Sequence, residues 1–323
     1  NIIVLDHVDY GFKGKLVNLG SLFANEKGIF RAIKKGKYLA GYLSDNNIDV
    51  VIDNRSRPMF LREVFTKWIY GSRKLFYVVH SSDSDMYFPQ FPFGAAYLYK
   101  HAKKLICVSK GIEENIRKKY HFNNLTTIYN PIIFPESIAA KPEGIPQNYI
   151  LFFGRLEEEI KNISLLLKAF SISRVYNSGI KLLIVGDGSD KDCIAAKIIE
   201  LQLADFVQMK PFQKNITPYI QHAAFSVLTS RFEGFPMSVI ESLAAGIPVV
   251  AVDCETGPRE IIRNNDNGLL VPNHDEKEFA EALKLMVHDE RLYQNCKNNA
   301  QKSVEHLSLT SIAQQWQQLV SQK

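Results

Sequence analysis

Ser230-Arg-Phe-Glu-Gly-Phe-Pro-Met-Ser-Val-Ile-Glu-Ser-Leu-Ala-Ala-Gly-Ile-Pro-Val-Val-Ala251 is the stretch on which the reading of this chain turns. Two carboxylates, Glu233 and Glu241, bracket a turn built on Gly234 and Pro236 and the opening of an apolar helix. An apolar, β-branched run at 247–252 follows at once, the pattern of a buried strand. Proline is tolerated in a helix's first turn, because the N–H it lacks would find no helical acceptor there. The helix is therefore expected to start near Phe235, and its free first-turn N–H groups form an anion site. One carboxylate then stands at the mouth of that site and the other about two turns down. That spacing suits a polyhydroxylated, phosphorylated ligand. A capped helix feeding a core strand explains it as well, and the spacing alone does not choose.

Outward from this stretch, short apolar runs alternate with helix-period segments, which indicates parallel α/β architecture. In the first half, strands are expected at 2–5, 49–53, 75–79, 105–108 and 126–129. Pro131, Pro135, Pro142 and Pro146 then crowd one segment too closely for a helix or a central strand, which marks 131–146 as a linker. The pattern restarts with strands at 150–153, 182–185, 207–209, 225–228, 248–252 and 269–271. Helices are expected near 164–176, 190–201, 216–222, 236–245, 258–263 and 276–287, and a closing helix carries Trp316 and Leu319. Two open parallel sheets, 1–146 with the linker and 147–323, would face a central cleft. In such sheets ligands lie beyond the carboxyl ends of the strands, so chemistry is sought in loops that follow strands.

Composition sets wide bounds. The chain has 323 residues, 46% hydrophobic and 23% charged, enough for two substantial cores. No apolar run reaches the ~18–20 residues of a membrane-spanning helix, and no secretory leader is visible. Cys107, Cys193, Cys254 and Cys296 lack paired spacing and read as reduced thiols, in keeping with cytoplasm. Residues 1–146 carry 21 Lys+Arg against 13 Asp+Glu, and the remainder 18 against 21. Lys27, Arg31, Lys34, Lys35 and Lys37 share an expected helix with Ile29, Phe30, Ile33, Tyr38 and Leu39. Such a face suits anionic lipid headgroups, and equally a solvated surface. Nucleic acid is disfavoured: the net charge is a modest +5 and no recognition motif is present.

Several strand-end loops carry chemistry-bearing residues. After 150–153 comes Gly154-Arg-Leu-Glu-Glu-Glu-Ile-Lys-Asn162, where Arg155 and Lys161 are placed to converge on an anion or to join a surface ion network. Val185-Gly-Asp-Gly-Ser189 is a tight turn too short to be called a phosphate loop. His80 follows 75–79, Ser109 follows 105–108, and Asn130 follows 126–129; capping and turn formation account for the last two as readily as ligand contact. Tyr87-Phe-Pro-Gln-Phe-Pro-Phe93 is an aromatic loop that suits sugar stacking or local packing. Asp83-Ser-Asp85 has the Asp-x-Asp form of a metal–diphosphate motif. Three residues recur by chance, as Asp190-Lys-Asp192 does, and no metal site is assigned.

Taken together, the Glu233-x7-Glu241 segment, the Gly154–Asn162 loop, Val108-Ser-Lys110, Tyr129-Asn-Pro131, and Asp253-Cys-Glu-Thr-Gly-Pro-Arg-Glu-Ile-Ile262 with Asn267-Gly-Leu-Leu-Val-Pro272 carry a likeness. They resemble retaining glycosyltransferases of the GT-B fold, glycosyltransferase family 4, as found in bacterial lipopolysaccharide, O-antigen and capsule assembly. The resemblance runs from about Lys74 to the end of the chain and is densest at 149–271. It implies a nucleotide-diphosphate sugar as donor, UDP favoured, and a glycan or lipid-linked acceptor. Gly154, Arg155 and Lys161 would hold the diphosphate, Gly186 would line the nucleotide pocket, and Lys210 and Phe212 would lie beside the base. Glu241 would take the ribose hydroxyls. Glu233 and Gly234, with the N–H groups of Phe235, Met237 and Ser238, would contact the donor sugar and distal phosphate. His80 would reach the donor sugar at the reacting centre, and Ser109 and Asn130 would lie on the acceptor side. Glu233, Arg155, Lys161 and His80 form the implied catalytic set, with no free base, metal or cofactor. The reading is cytoplasmic, with contact at an anionic inner membrane face left open.

Three departures qualify the likeness. The Arg155–Lys161 gap is about one residue longer than in many relatives, and Lys210-Pro211 stands where many have glycine nearby. The glycine-rich opening loop is reduced to Gly11 and Gly14, so that loop has diverged or the opening unit is absent. A non-catalytic glycosyltransferase-like subunit and a sugar-nucleotide epimerase of similar fold remain alternatives, which turnover of a sugar nucleotide, with or without an acceptor, separates.

Overall fold

The computed structural model describes residues 1–5 and 13–322; Gly11 falls outside them. The strands are β1 (Ile2–Val4), β2 (Leu16–Asn18), β3 (Val50–Asp53), β4 (Lys74–Val79), β5 (Lys104–Cys107), β6 (Leu125–Thr127), β7 (Tyr149–Phe153), β8 (Lys181–Val185), β9 (Val207–Lys210), β10 (Phe225–Leu228), β11 (Val249–Asp253) and β12 (Gly268–Pro272). They form a pair β1-β2, a four-stranded sheet β3-β4-β5-β6 and a six-stranded sheet β12-β11-β10-β7-β8-β9. Contacts divide the chain into two compact units. One comprises Asn1–Val78, Asp85–Leu105 and Phe122–Asn124, the other Val79–Ser84, Ile106–His121 and Leu125–Lys323.

In the first unit, β1 pairs with β2 and β3 with β4, both in parallel. Helices Gly28–Asp45 and Phe60–Tyr70 pack where Gly36 leaves room for the Phe65 ring. Arg57 is fully buried. Its guanidinium donates to the carbonyls of Asp53 (3.1 Å), Arg55 (2.6 Å) and Val78 (3.1 Å) and lies over the rings of Tyr77, Tyr87 and Tyr99. Asp53 accepts from Arg55 and from the Tyr70 hydroxyl. Burial works to raise the Asp53 carboxyl, but Arg55 and Arg57 hold it below the usual carboxylate range.

The six-stranded sheet of the second unit is parallel throughout. Alternation explains its two buried faces. Ile150, Phe152, Leu182 and Ile184 point into one core, while Tyr149, Leu151, Leu183 and Val185 point into the other. The chain leaves β7 toward β8 and β9, then returns to place β10 on the other side of β7, so strand order reverses between β7 and β10. Ligands favour the carboxyl end of a sheet at such a reversal. Both edge strands are short and end at proline: Pro211 follows β9, and Pro272 closes β12.

Helix Met237–Ala244 corrects one expectation. It begins two residues later than Phe235, with Pro236 as its N-cap in an extended conformation (φ −73°, ψ 97°). Glu241 is therefore the fifth helical residue, a little over one turn in. The expected linker carries no helix or strand at 131–148 beyond a single bridge from Ile132 to Ser308.

Candidate functional site

The loops that leave β7 and β10 at the reversal are tied together by the backbone. After β7, residues 154–157 lead into the one-turn helix Glu158–Lys161, and Asn162 closes it in a left-handed conformation (φ 48°). The Arg231 N–H donates to the Ile160 carbonyl (2.8 Å), and the Thr229 hydroxyl donates to the Lys161 carbonyl (2.9 Å). The Arg231 guanidinium reaches the Asn162 side chain at 2.9 Å. The backbone of Lys161 is thus held from β10, and the one-turn helix takes up the length between Arg155 and Lys161.

Side chains complete the junction. Lys161 Nζ donates to Glu233 Oε1 at 2.7 Å, and the Ser230 hydroxyl donates to the same oxygen at 2.7 Å. Both partners of this ion pair are mostly buried, with 18% and 13% of their side chains exposed. Gly234 follows, and any side chain there would collide with the His80 carbonyl, 2.1 Å from where its Cβ would stand. The approach explains the glycine, and it sets His80, at the end of β4, beside the turn that carries Glu233. Phe235 is buried and stacks on Tyr129, ring centroids 4.9 Å apart. Met237 and Ser238 open the helix, whose N-cap, Pro236, makes no side-chain cap to the first-turn N–H groups.

Beside this junction is a cavity of about 400 Å³ lined by Phe153, Gly154, Arg155, Asp187, Phe212 and Glu241, among others. The Gly154 N–H donates to the carbonyl of Val185, which also lines the cavity, and the Gly186 N–H donates to the Lys210 carbonyl. Asp187 Oδ2 accepts the Phe212 N–H at 2.7 Å, and that bond, with Lys191, holds the carboxyl below its ordinary value. Burial pushes the Glu241 carboxyl up to about 7. Arg155 is largely exposed and meets Glu157 at 3.2 Å.

The structure therefore gathers Gly154, Arg155, Phe212 and Glu241 around one cavity, and joins Lys161 to Glu233. Lys210 and Gly186, expected at the nucleotide pocket, are not among the residues that line this cavity; the Lys210 carbonyl accepts the Gly186 N–H, and its ammonium lies beside Gly144. Ser109 is fully buried and caps helix Lys110–Tyr120 by accepting the Ile112 N–H; Asn130 is half-buried beyond β6. Sequence reasoning passed over Ser230, Thr229, Arg231 and Asp187. Asp187 had a signal, an acidic residue in a strand-end turn; the other three stand next to Glu233 without a pattern of their own. Among the described residues, no group of three His, Cys, Asp or Glu is gathered to hold a metal ion. Also among these residues, no helix is long and apolar enough to cross a membrane.

Residues 134–303 match the family model described as glycosyl transferases group 1. The chain is 32% identical over 221 residues to the N-acetylgalactosamine-N,N'-diacetylbacillosaminyl-diphospho-undecaprenol 4-alpha-N-acetylgalactosaminyltransferase of Campylobacter jejuni, which covers 67% of this chain and 59% of that protein. It is 31% identical over 197 residues to the lipopolysaccharide 1,6-galactosyltransferase of Escherichia coli, covering 57% of this chain and 54% of the relative. The chain thus spans little more than half the length of these two relatives. Among solved structures, the lipopolysaccharide outer core galactosyltransferase WaaB superposes with a TM-score of 0.71 at 23% identity, covering 95% of this chain and 84% of that one. Anabaena HepE in complex with UDP superposes at 0.76 and 19% identity, covering 89% and 82%. These neighbours show the GT-B fold.

Proposed function

The chain belongs to the glycosyl transferases group 1 family, and on that premise we propose that it transfers a hexose or N-acetylhexosamine from a UDP-sugar to a glycan or lipid-linked acceptor, with retention at the anomeric carbon. One observation carries the reading: the loops after β7 and β10 bring Lys161 against Glu233 at the strand-order reversal, beside a cavity that Arg155 and Glu241 line. The cations suit a diphosphate. Glu241, ionised, would accept two ribose hydroxyls, and the uncapped N–H groups of Met237 and Ser238 would receive the distal phosphate.

Retention needs no separate nucleophile in this arrangement. The departing phosphate oxygen takes the acceptor's proton on the face it leaves, while Arg155 and Lys161 stabilise the charge that builds on the diphosphate. One such preorganised donor contributes roughly 10²–10³ in rate. Glu233 is held by Lys161 and Ser230, an orientation suited to accepting hydroxyls of the donor sugar, and His80 stands beside the same turn. Positive side chains serve here where other glycosyltransferases use a divalent ion.

Contact with an anionic membrane belongs to the same proposal. Ile29 and Ile33, and Leu61, Phe65 and Trp68, stand at helical spacing on the two helices that meet at Gly36 and Phe65. Ile29, Leu61 and Trp68 are 72%, 81% and 70% exposed, and Lys34, Lys35 and Lys37 lie on the first of these helices. Sedimentation with phosphatidylglycerol vesicles, but not with phosphatidylcholine vesicles, is the expected outcome.

Calorimetry with UDP, GDP and ADP in EDTA tests the donor site, on the wild type and on Arg155→Ala. Metal-independent UDP binding that weakens about tenfold in the variant supports the reading, and no binding of any of the three overturns it.

A further inference from the structure

Three hydrogen bonds within the second unit converge on Glu260, on the short helix Pro258–Ile261. Its Oε2 accepts the Lys110 N–H at 2.8 Å and the Tyr129 hydroxyl at 3.0 Å, and its Oε1 accepts the Gly111 N–H at 2.8 Å. Lys110 and Gly111 are the first two residues of helix Lys110–Tyr120, and Ser109 takes the third N–H, from Ile112. A carboxylate from 149 residues further along the chain thus completes the cap of this helix. Gly111 permits it, since a Cβ there would stand 2.8 Å from Thr256 Cγ2.

What Glu260 holds leads to the candidate site by two routes. Tyr129, fixed through its hydroxyl, stacks its ring on Phe235, the residue before the Pro236 cap. Burial and the Glu260 charge push the Tyr129 phenol up, so the hydroxyl stays protonated and donating. Thr256, four residues before Glu260, donates its hydroxyl to the Glu233 carbonyl. Both sides of the turn 233–236 are therefore braced by groups that Glu260 or its own segment fixes. Nothing in these contacts requires Glu260 to touch a ligand.

We propose that Glu260 is a positioning residue: through Tyr129 and Phe235 it sets the turn whose following N–H groups receive the distal phosphate of the donor. The inference rests on the nucleotide-site reading above. It predicts a loss confined to the outer phosphate, because the cavity beside Glu241 and Phe212 makes none of these contacts.

The test is calorimetric binding of UMP and UDP to the wild type, Glu260→Gln and Tyr129→Phe. Gln keeps the size but turns an amide N–H₂ toward one of the donors. Phe keeps the stacked ring and removes only the hydroxyl. UDP affinity is expected to fall about tenfold in Glu260→Gln and about threefold in Tyr129→Phe, with UMP affinity within about twofold of wild type in both. A merely structural role would move UMP and UDP together. An unchanged UDP-to-UMP ratio, with wild-type binding intact, overturns the role of Glu260 alone. Should Glu260→Gln fail to fold, Tyr129→Phe decides by the same ratio. Wild-type protein that binds neither nucleotide overturns the site reading and this inference with it.

Discussion

The two units each bury charge, and they do it in opposite ways. Around Arg57, charge is enclosed by opposite charge and by backbone carbonyls, and Arg55 bridges Asp53 and Glu63. In the second unit, Lys161 and Glu233 are paired, whereas the Glu241 carboxyl is raised by burial. A compensated cluster holds a fold, whereas a carboxyl raised by burial beside a cavity marks a candidate functional site.

The largest effect should come from breaking the enclosed cluster. Arg57→Met removes three carbonyl bonds and leaves Arg55 as the cation beside Asp53, and should lower unfolding free energy by about 3–5 kcal/mol. Urea unfolding measures it, and a loss below about 1 kcal/mol would place the cluster among surface-like pairs.

Glu241→Gln should act with the opposite sign. Burial raises this carboxyl from 4.5 to about 7, so the folded chain binds the proton more tightly than the unfolded chain. Wild-type stability therefore falls as pH rises from about 4.5 to about 7 and is level above that. The Gln variant lacks that slope and should be more stable at pH 8 by roughly 1–3 kcal/mol, while binding UDP more weakly. Unfolding curves at pH 5 and pH 8 decide this. Equal slopes in the two proteins would mean that Glu241 is ionised throughout.

Lys161→Ala sharpens the comparison from the paired side. Ser230 still reaches Glu233, so stability should fall by only about 1–2 kcal/mol, while sugar-nucleotide turnover drops roughly 10²–10³-fold. The smallest stability effect belongs to Arg155→Ala, whose exposed pair with Glu157 is worth under about 0.5 kcal/mol. Its loss should appear in nucleotide affinity and leave the melting temperature in place.

How much of this was legible before the fold was known depended on distance along the chain. The strands of the six-stranded sheet lie within one or two residues of their expected positions, because buried parallel strands are continuous apolar runs. Strand Leu16–Asn18 went unread: three residues with one buried side chain leave no period to detect. Helix Glu290–Ser303 also escaped, since it buries only Cys296, Ala300 and Ser303 and its remaining residues are mostly polar. The Pro236 boundary was misplaced because the turn before it is shaped by the His80 carbonyl, over 150 residues away in sequence. The bonds that reach Glu260 span 131 to 150 residues. No local pattern carries such contacts; Arg155, Lys161, Glu233 and Glu241 stand out because a family resemblance spans their segments, where spacing alone leaves a plain structural reading open.

The prolines at the rims of the six-stranded sheet have a consequence for handling the protein. An edge strand offers its unpaired N–H and C=O groups to any other strand it meets, and a long flat edge templates aggregation. Here β9 is four residues long and stops at Lys210-Pro211, and β12 ends on Pro272. Neither rim can be lengthened past its proline without a missing donor. Pro211→Val would extend a β-branched edge by one register, and the cost would appear in the yield of soluble protein on refolding.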